Sequence, residues 1–147
     1  MKAIVLILLV GISLSYNPGA AVSYAHQYCQ KYNKNYNNYK NSGGDCANFV
    51  SQCMHNGGQN FAGCTGVDGK GMIPLVTNLK NCLGSRGWRY SGSKPAGFQA
   101  GYPIFAKGYS HAMLATGFDG NKIIYCGHTR DRCDARIDAS TVDFYTL

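Results

Sequence analysis

Between Asn17 and Leu83 apolar residues return every three or four positions; beyond Trp88 they come in short runs broken by glycine, serine and lysine. The first pattern predicts helices and the second predicts strands. Asn17 and Pro18 suit a helix start, with Asn at the cap and Pro at the first helical position. Behind them Ala21, Val22, Ala25, Tyr28, Cys29 and Tyr32 share one face. A polar loop from Asn33 to Gly44 follows, then a second helix capped by Asp45 and ended by Asn56-Gly57-Gly58. A glycine-rich loop from Gln59 to Gly71 holds Cys64. Leu75, Val76, Leu79, Cys82 and Leu83 mark a third helix, stopped at Gly84. Tyr102 to Ala106 reads as a strand that Pro103 pushes towards an edge or a strand start. His111 to Phe118 and Asn121 to Gly127 read as a hairpin around Asp119-Gly120. Helices first and antiparallel strands after them make an α+β domain.

The extreme N-terminus stands outside this scheme. In MKAIVLILLVGISLS one lysine precedes an apolar run from Ala3 to Val10 and small residues at Ser13 and Ser15. That is the form of a signal peptide over residues 1–15, too short for an anchor, leaving residues 16–147 as a single domain. A secreted protein, or one of a lumenal degradative compartment, is expected, with no transmembrane segment after signal removal. Seven cysteines in such a setting pair off and leave one over. The formal charge of +7 favours anionic surfaces such as wall polymers, although Arg130, Arg132 and Arg136 are the one local cluster. No nucleic-acid motif accompanies them, so no nucleic-acid partner is expected.

The chemistry concentrates at Cys46. Behind an Asp45 cap it is the first helical residue, at the positive end of the helix dipole, an environment that favours a nucleophilic sulfur. Cys46, Phe49, Val50 and Cys53 fall at i, i+3, i+4 and i+7, so Cys46 faces inward. A cysteine there is ordinarily a small buried hydrophobe unless the element it packs on delivers a base. The hairpin offers one. With Asp119-Gly120 as the turn, Phe118 pairs with Asn121 and His111 lies opposite His128, roughly 5 Å away. Cysteine, histidine and a second polar group in line is the logic of thiol acyl transfer. A one-residue slip would separate the two histidines. Zinc on Cys46, His111 and His128 is the competing arrangement, but the chain has no close-spaced ligand pair. No metal and no other cofactor is expected, and His26 and His55 have no evident role.

Three stretches, YNPGAAVSYAHQY, GGDCANFVSQCMHNGG and YSHAMLATGFDGNKIIYCGHTRDR, resemble the putative amidase domain family of bacteria. That family is similar to the papain-like NlpC/P60 and CHAP superfamily of cell-wall hydrolases. The resemblance covers most of residues 16–147 and is loosest from Gln59 to Gln99. Its two motifs are DC-[ST]-NFVSQ, with Ala47 here in the third position, and a later SHA on a strand. It implies a papain-like NlpC/P60-type domain, with N-terminal helices on a small antiparallel sheet. It also implies Cys46 as nucleophile, His111 as general base and His128 in the orienting position. Relatives often open the strand before the histidine with Gly-Asp, where this chain has Gly101-Tyr102. A reduced Cys46 would leave Cys29, Cys53, Cys64, Cys82, Cys126 and Cys133 for up to three bridges, Cys126–Cys133 being the pair expected to close the loop after the hairpin.

The leading expectation is therefore a secreted cysteine amidase or peptidase whose partner is a cell-wall peptide or glycopeptide. A transamidase would use the same dyad with an amine in place of water. A disulfide-rich binding module for anionic wall surfaces would need no dyad at all.

Overall fold

The computed structural model describes residues 15–147. All of the expected leader except Ser15 lies outside the described residues. Three helices precede or flank one antiparallel sheet: α1 (Pro18–Tyr28), α2 (Cys46–Asn56), α3 (Val76–Ser85), β1 (Arg89–Ser91), β2 (Pro103–Ala106), β3 (Ala112–Asp119), β4 (Lys122–Gly127), β5 (Arg132–Asp138) and β6 (Val142–Thr146). The six strands lie in the order β1-β6-β2-β3-β4-β5, each pair antiparallel. The α+β class holds.

The helix starts follow from local chemistry. Asn17 Oδ1 accepts the Ala20 N–H at 3.0 Å and Pro18 fills the first helical position. α1 ends at Tyr28, a turn before the expected Tyr32, and its C-cap Cys29 is joined by a disulfide to Cys133 of β5. α2 departs from the amphipathic pattern more sharply: all its residues from Cys46 to Met54 are buried. Phe49, Val50, Cys53 and Met54 join the apolar core. Its polar face is covered too, and its polar side chains find partners, with Asn48 Oδ1 alone left without one among the described residues. Asn48 Nδ2 donates to the Asn37 carbonyl at 2.8 Å, Ser51 Oγ accepts the Ile73 N–H at 3.1 Å, and Gln52 Oε1 accepts the Tyr24 hydroxyl at 2.7 Å. Only hydrogen bonding makes such burial affordable.

In the sheet, Pro103 is the first residue of β2, where its missing N–H costs nothing, although β2 is an interior strand between β6 and β3. The hairpin forms, with its turn one residue later than expected, so that Phe118 faces Ile123 and not Asn121. Asp119 pairs with Lys122, so the turn is Gly120-Asn121, with Gly120 at φ 57°. A bulge at Thr116 shifts the ladder again before its last pair, Leu114 with Cys126. Carried on, that register sets His111 level with Thr129 and His128 level with Ala112. The two histidines are not a cross-strand pair. A second bulge sets Cys126 of β4 against both Cys133 and Asp134 of β5.

That second bulge overturns the Cys126–Cys133 bridge. Cys133 turns out to meet Cys29, while Cys126 points into the core and is fully buried. The other bridge is Cys64–Cys82. Cys46, Cys53 and Cys126 are free and buried, three free thiols where one was expected.

Candidate active site

The two glycines before Asp45 make the turn that delivers α2. Gly43 and Gly44 have φ values of 96° and 102°, a left-handed pair that other residues adopt only with strain. A β-carbon on Gly44 would also press on Thr129 Oγ1 at 3.1 Å. Thr129 itself is at φ 87°, rare for a β-branched residue, and its hydroxyl accepts the Asp45 N–H at 3.1 Å. The loop after β4 is thereby clamped to the residue that precedes Cys46.

Asp45 stands at the cap of α2 but does not cap it; no side chain accepts from the first-turn N–H groups. Its buried carboxylate is engaged elsewhere. Oδ1 accepts the Tyr39 N–H and Asn48 Nδ2, both at 2.9 Å, and Oδ2 accepts from Nδ1 of His128 at 2.7 Å. Nε2 of His128 donates to the Tyr28 carbonyl at 2.7 Å. The Tyr28 carbonyl can only accept, so Nε2 carries a proton, and a second proton is shared between Nδ1 and the Asp45 carboxyl. Phe49 stacks on it at 4.0 Å and 24°, and Tyr32 lies at 4.3 Å and 35°. Two rings that close cannot share a face, so they sandwich it. His128 therefore ties α1, α2 and the loop after β4 together, with no nitrogen left to hold the His111 ring or a zinc ion.

His111 is in a different setting. It is half-buried just before β3, with Tyr109 nearly parallel to it at 6.0 Å. Among the described residues its ring has no hydrogen-bond partner, so both nitrogens are open. Burial and the nearby Arg130 guanidinium hold its pKa below the ordinary histidine value of 6.5. The neutral ring, which can take a proton, is thus favoured at neutral pH. His111 lines a cavity of about 360 Å³ with Tyr109, Met113, Tyr125, Thr129, Arg130 and Arg132. Tyr109 and Ser110 also line a neighbouring cavity bounded by Lys80, Tyr90 and Lys107. Of the arginine cluster, Arg130 and Arg132 face the first cavity and Arg136 pairs with Asp119 at 2.9 Å.

Cys46 is 9% exposed and is not among the lining residues. The start of α2 meets the cavity wall through Thr129, which is shared by the cavity and by the hydrogen bond to Asp45. The structure thus joins Cys46 to His128 through Asp45, and the α2 start to the His111 cavity through Thr129. Sequence reasoning missed Asp45 as a partner of His128, and missed Thr129 altogether. The first was readable only as a helix cap, and the second carries no signal in a string of residues.

Residues 15–98, more than half of the chain, match the family described as Putative amidase domain. The matched stretch includes α1, Cys46 with the whole of α2, and α3, and stops before the hairpin. No curated protein and no solved structure matches the chain.

Proposed function

We propose that this chain, which belongs to the putative amidase domain family and so to a group associated with amide hydrolysis, cleaves its substrate by covalent catalysis at Cys46. His111 takes the thiol proton, and the sulfur attacks the carbonyl carbon. The developing oxyanion meets the Cys46 N–H at the uncapped start of α2. His111 then passes the proton to the leaving amine, breaking the C–N bond. It next takes a proton from the water that releases the acyl group. His128 is a positioning residue in this scheme: it holds Asp45, and through it the start of α2. The observation that carries the reading is Thr129, which belongs at once to the His111 cavity and to the hydrogen bond next to Cys46.

The substrate follows from the lining. Two arginines and no carboxylate line the His111 cavity, beside two tyrosines and a methionine. An anionic peptide with apolar groups fits this surface, and peptidoglycan-type peptides, with free carboxylates beside their amide bonds, are of that class. Two disulfides suit an oxidising compartment, in keeping with secretion. A helix led by cysteine, followed by a strand entered at histidine, agrees with a papain-like NlpC/P60-type arrangement.

The test is turnover on purified peptidoglycan peptides, read as release of free amine. Cys46→Ala should abolish release in a protein whose unfolding curve is unchanged, and His111→Ala should lower kcat by about 10²–10⁴-fold. Undiminished release from Cys46→Ala would overturn the mechanism. Wall binding without turnover in the wild-type protein would leave a binding module instead.

A further inference from the structure

On the far side of β4 from the His111 cavity stands a group of side chains that the proposed reaction does not use. His26 of α1, Cys126 of β4 and Asp134 of β5 bring Nε2, Sγ and a carboxylate oxygen within 4.8 Å of one another. His26 Nε2 is 2.9 Å from Asp134 Oδ1, Thr116 Oγ1 donates to the same oxygen at 2.7 Å, and Cys126 Sγ is 3.9 Å from it. We propose that these residues form a binding site for a divalent transition-metal ion of the zinc class, with His26, Cys126 and Asp134 as ligands.

The backbone is built for this convergence. Two bulges lie side by side across β4, one at Thr116 of β3 and one at Cys133-Asp134 of β5. A bulge re-aims the side chains next to it. Here one swings the Thr116 hydroxyl, and the other the Asp134 carboxylate, over Cys126. Asp134 adopts φ 52° to do so, one of two non-glycine residues with positive φ among the described residues. Without the second bulge Asp134 would not share a position opposite Cys126 with Cys133.

Ligand chemistry narrows the ion. One thiolate, one imidazole and one carboxylate are the donors that zinc takes at about 2.0–2.3 Å, and they select against calcium and magnesium, which prefer oxygen alone. Tetrahedral bonds of that length set ligand atoms about 3.3–3.8 Å apart. The Cys126–Asp134 separation of 3.9 Å needs to close slightly, and the His26–Asp134 contact of 2.9 Å to open by less than 1 Å. Thr116 then supports the carboxylate from the second layer, the usual role of such a hydroxyl. His26 and Asp134 are exposed, so an ion has a direct way in, while Cys126 is buried behind them. The site would join α1 to β4 and β5, parallel to the neighbouring Cys29–Cys133 bridge.

The experiment uses the disulfide-intact protein in a Cys46→Ser background, so that the candidate nucleophile cannot bind the probe. Cobalt(II) is titrated as the spectroscopic stand-in, and zinc is then added in competition. One equivalent should give a thiolate-to-cobalt charge-transfer band in the near ultraviolet together with tetrahedral visible bands, and zinc should bleach both. Cys126→Ala should remove the charge-transfer band. Because Cys126 is a core residue, the exposed His26→Ala is the decisive variant and should weaken binding at least about tenfold, with Thr116→Val weakening it by about 10-fold as a supporting residue. No band at stoichiometric cobalt, or full affinity in His26→Ala, would overturn the site.

Discussion

At the scale of single residues, Asp45 and His128 form a pair buried in the interior, 2.7 Å apart. Asp45 has no exposed surface and His128 has 1%. As ions the two would attract each other in the interior against a desolvation cost of several kcal/mol each. The balance is held by the extra donors on Asp45 and the Tyr28 carbonyl on His128. Removing one member leaves the other buried without its partner. Asp45→Asn should therefore cost about 3–5 kcal/mol of stability in urea unfolding, and pairing it with His128→Gln should recover part of that loss. A cost below about 1 kcal/mol would mean that the two groups do not meet as ions. Arg130 gives a second prediction. Its guanidinium, with burial, helps to hold the His111 pKa down, so on the proposed mechanism the pH below which activity fades should lie below the ordinary histidine value. Arg130→Gln removes that repulsion, the His111 pKa rises, and the acid limb of kcat/KM should move to higher pH. An unmoved limb would mean that His111 is not the group that titrates. Little of this was legible in the sequence. Asp45 beside Cys46 is visible at once, but its histidine lies 83 residues away, and only three-dimensional packing brings it back.

Elements were more legible than their registers. Periodic apolar residues located all three helices, because burying one face requires that spacing. The hairpin was legible from its turn residues, yet Asp119-Gly120 and Gly120-Asn121 serve such a turn equally well, and the chain uses the second. The Thr116 bulge has no sequence signature, and it is this pair of shifts that parts His111 from His128. β5, with the sequence RCDARID, lies at the sheet edge, half exposed and heavily charged, so no apolar run announces it. Gly101 shows how closely α1 and the sheet are fitted. It sits at φ 94°, donates to the Ala115 carbonyl at 2.7 Å, and accepts the Tyr16 hydroxyl at 2.6 Å. A β-carbon there would collide with the carbonyl oxygen and Cα of Pro18. Gly101→Ala should cost about 1–3 kcal/mol from the positive φ alone, and more from the displaced start of α1. Urea unfolding measures the total, and a loss under about 0.5 kcal/mol would mean that α1 can shift at no cost.

At the scale of the whole molecule, the two disulfides divide the work of holding the chain together unequally. Cys64–Cys82 spans 18 residues and pins the glycine-rich loop to α3. Cys29–Cys133 spans 104 and joins the end of α1 to the edge strand β5, enclosing α2 and most of the sheet between its ends. A crosslink removes more freedom from the unfolded chain the longer the loop it closes. On that account Cys29→Ala with Cys133→Ala should cost about 4–5 kcal/mol and Cys64→Ala with Cys82→Ala about 3 kcal/mol, both read from urea midpoints at constant slope. The long bridge also lies beside His26 and Asp134, so its loss should loosen the side-chain cluster over Cys126 as well as the fold. The short bridge has no such neighbour. A larger loss on removing the short bridge would show that native packing of the glycine-rich loop, rather than restraint of the unfolded chain, sets what each disulfide contributes.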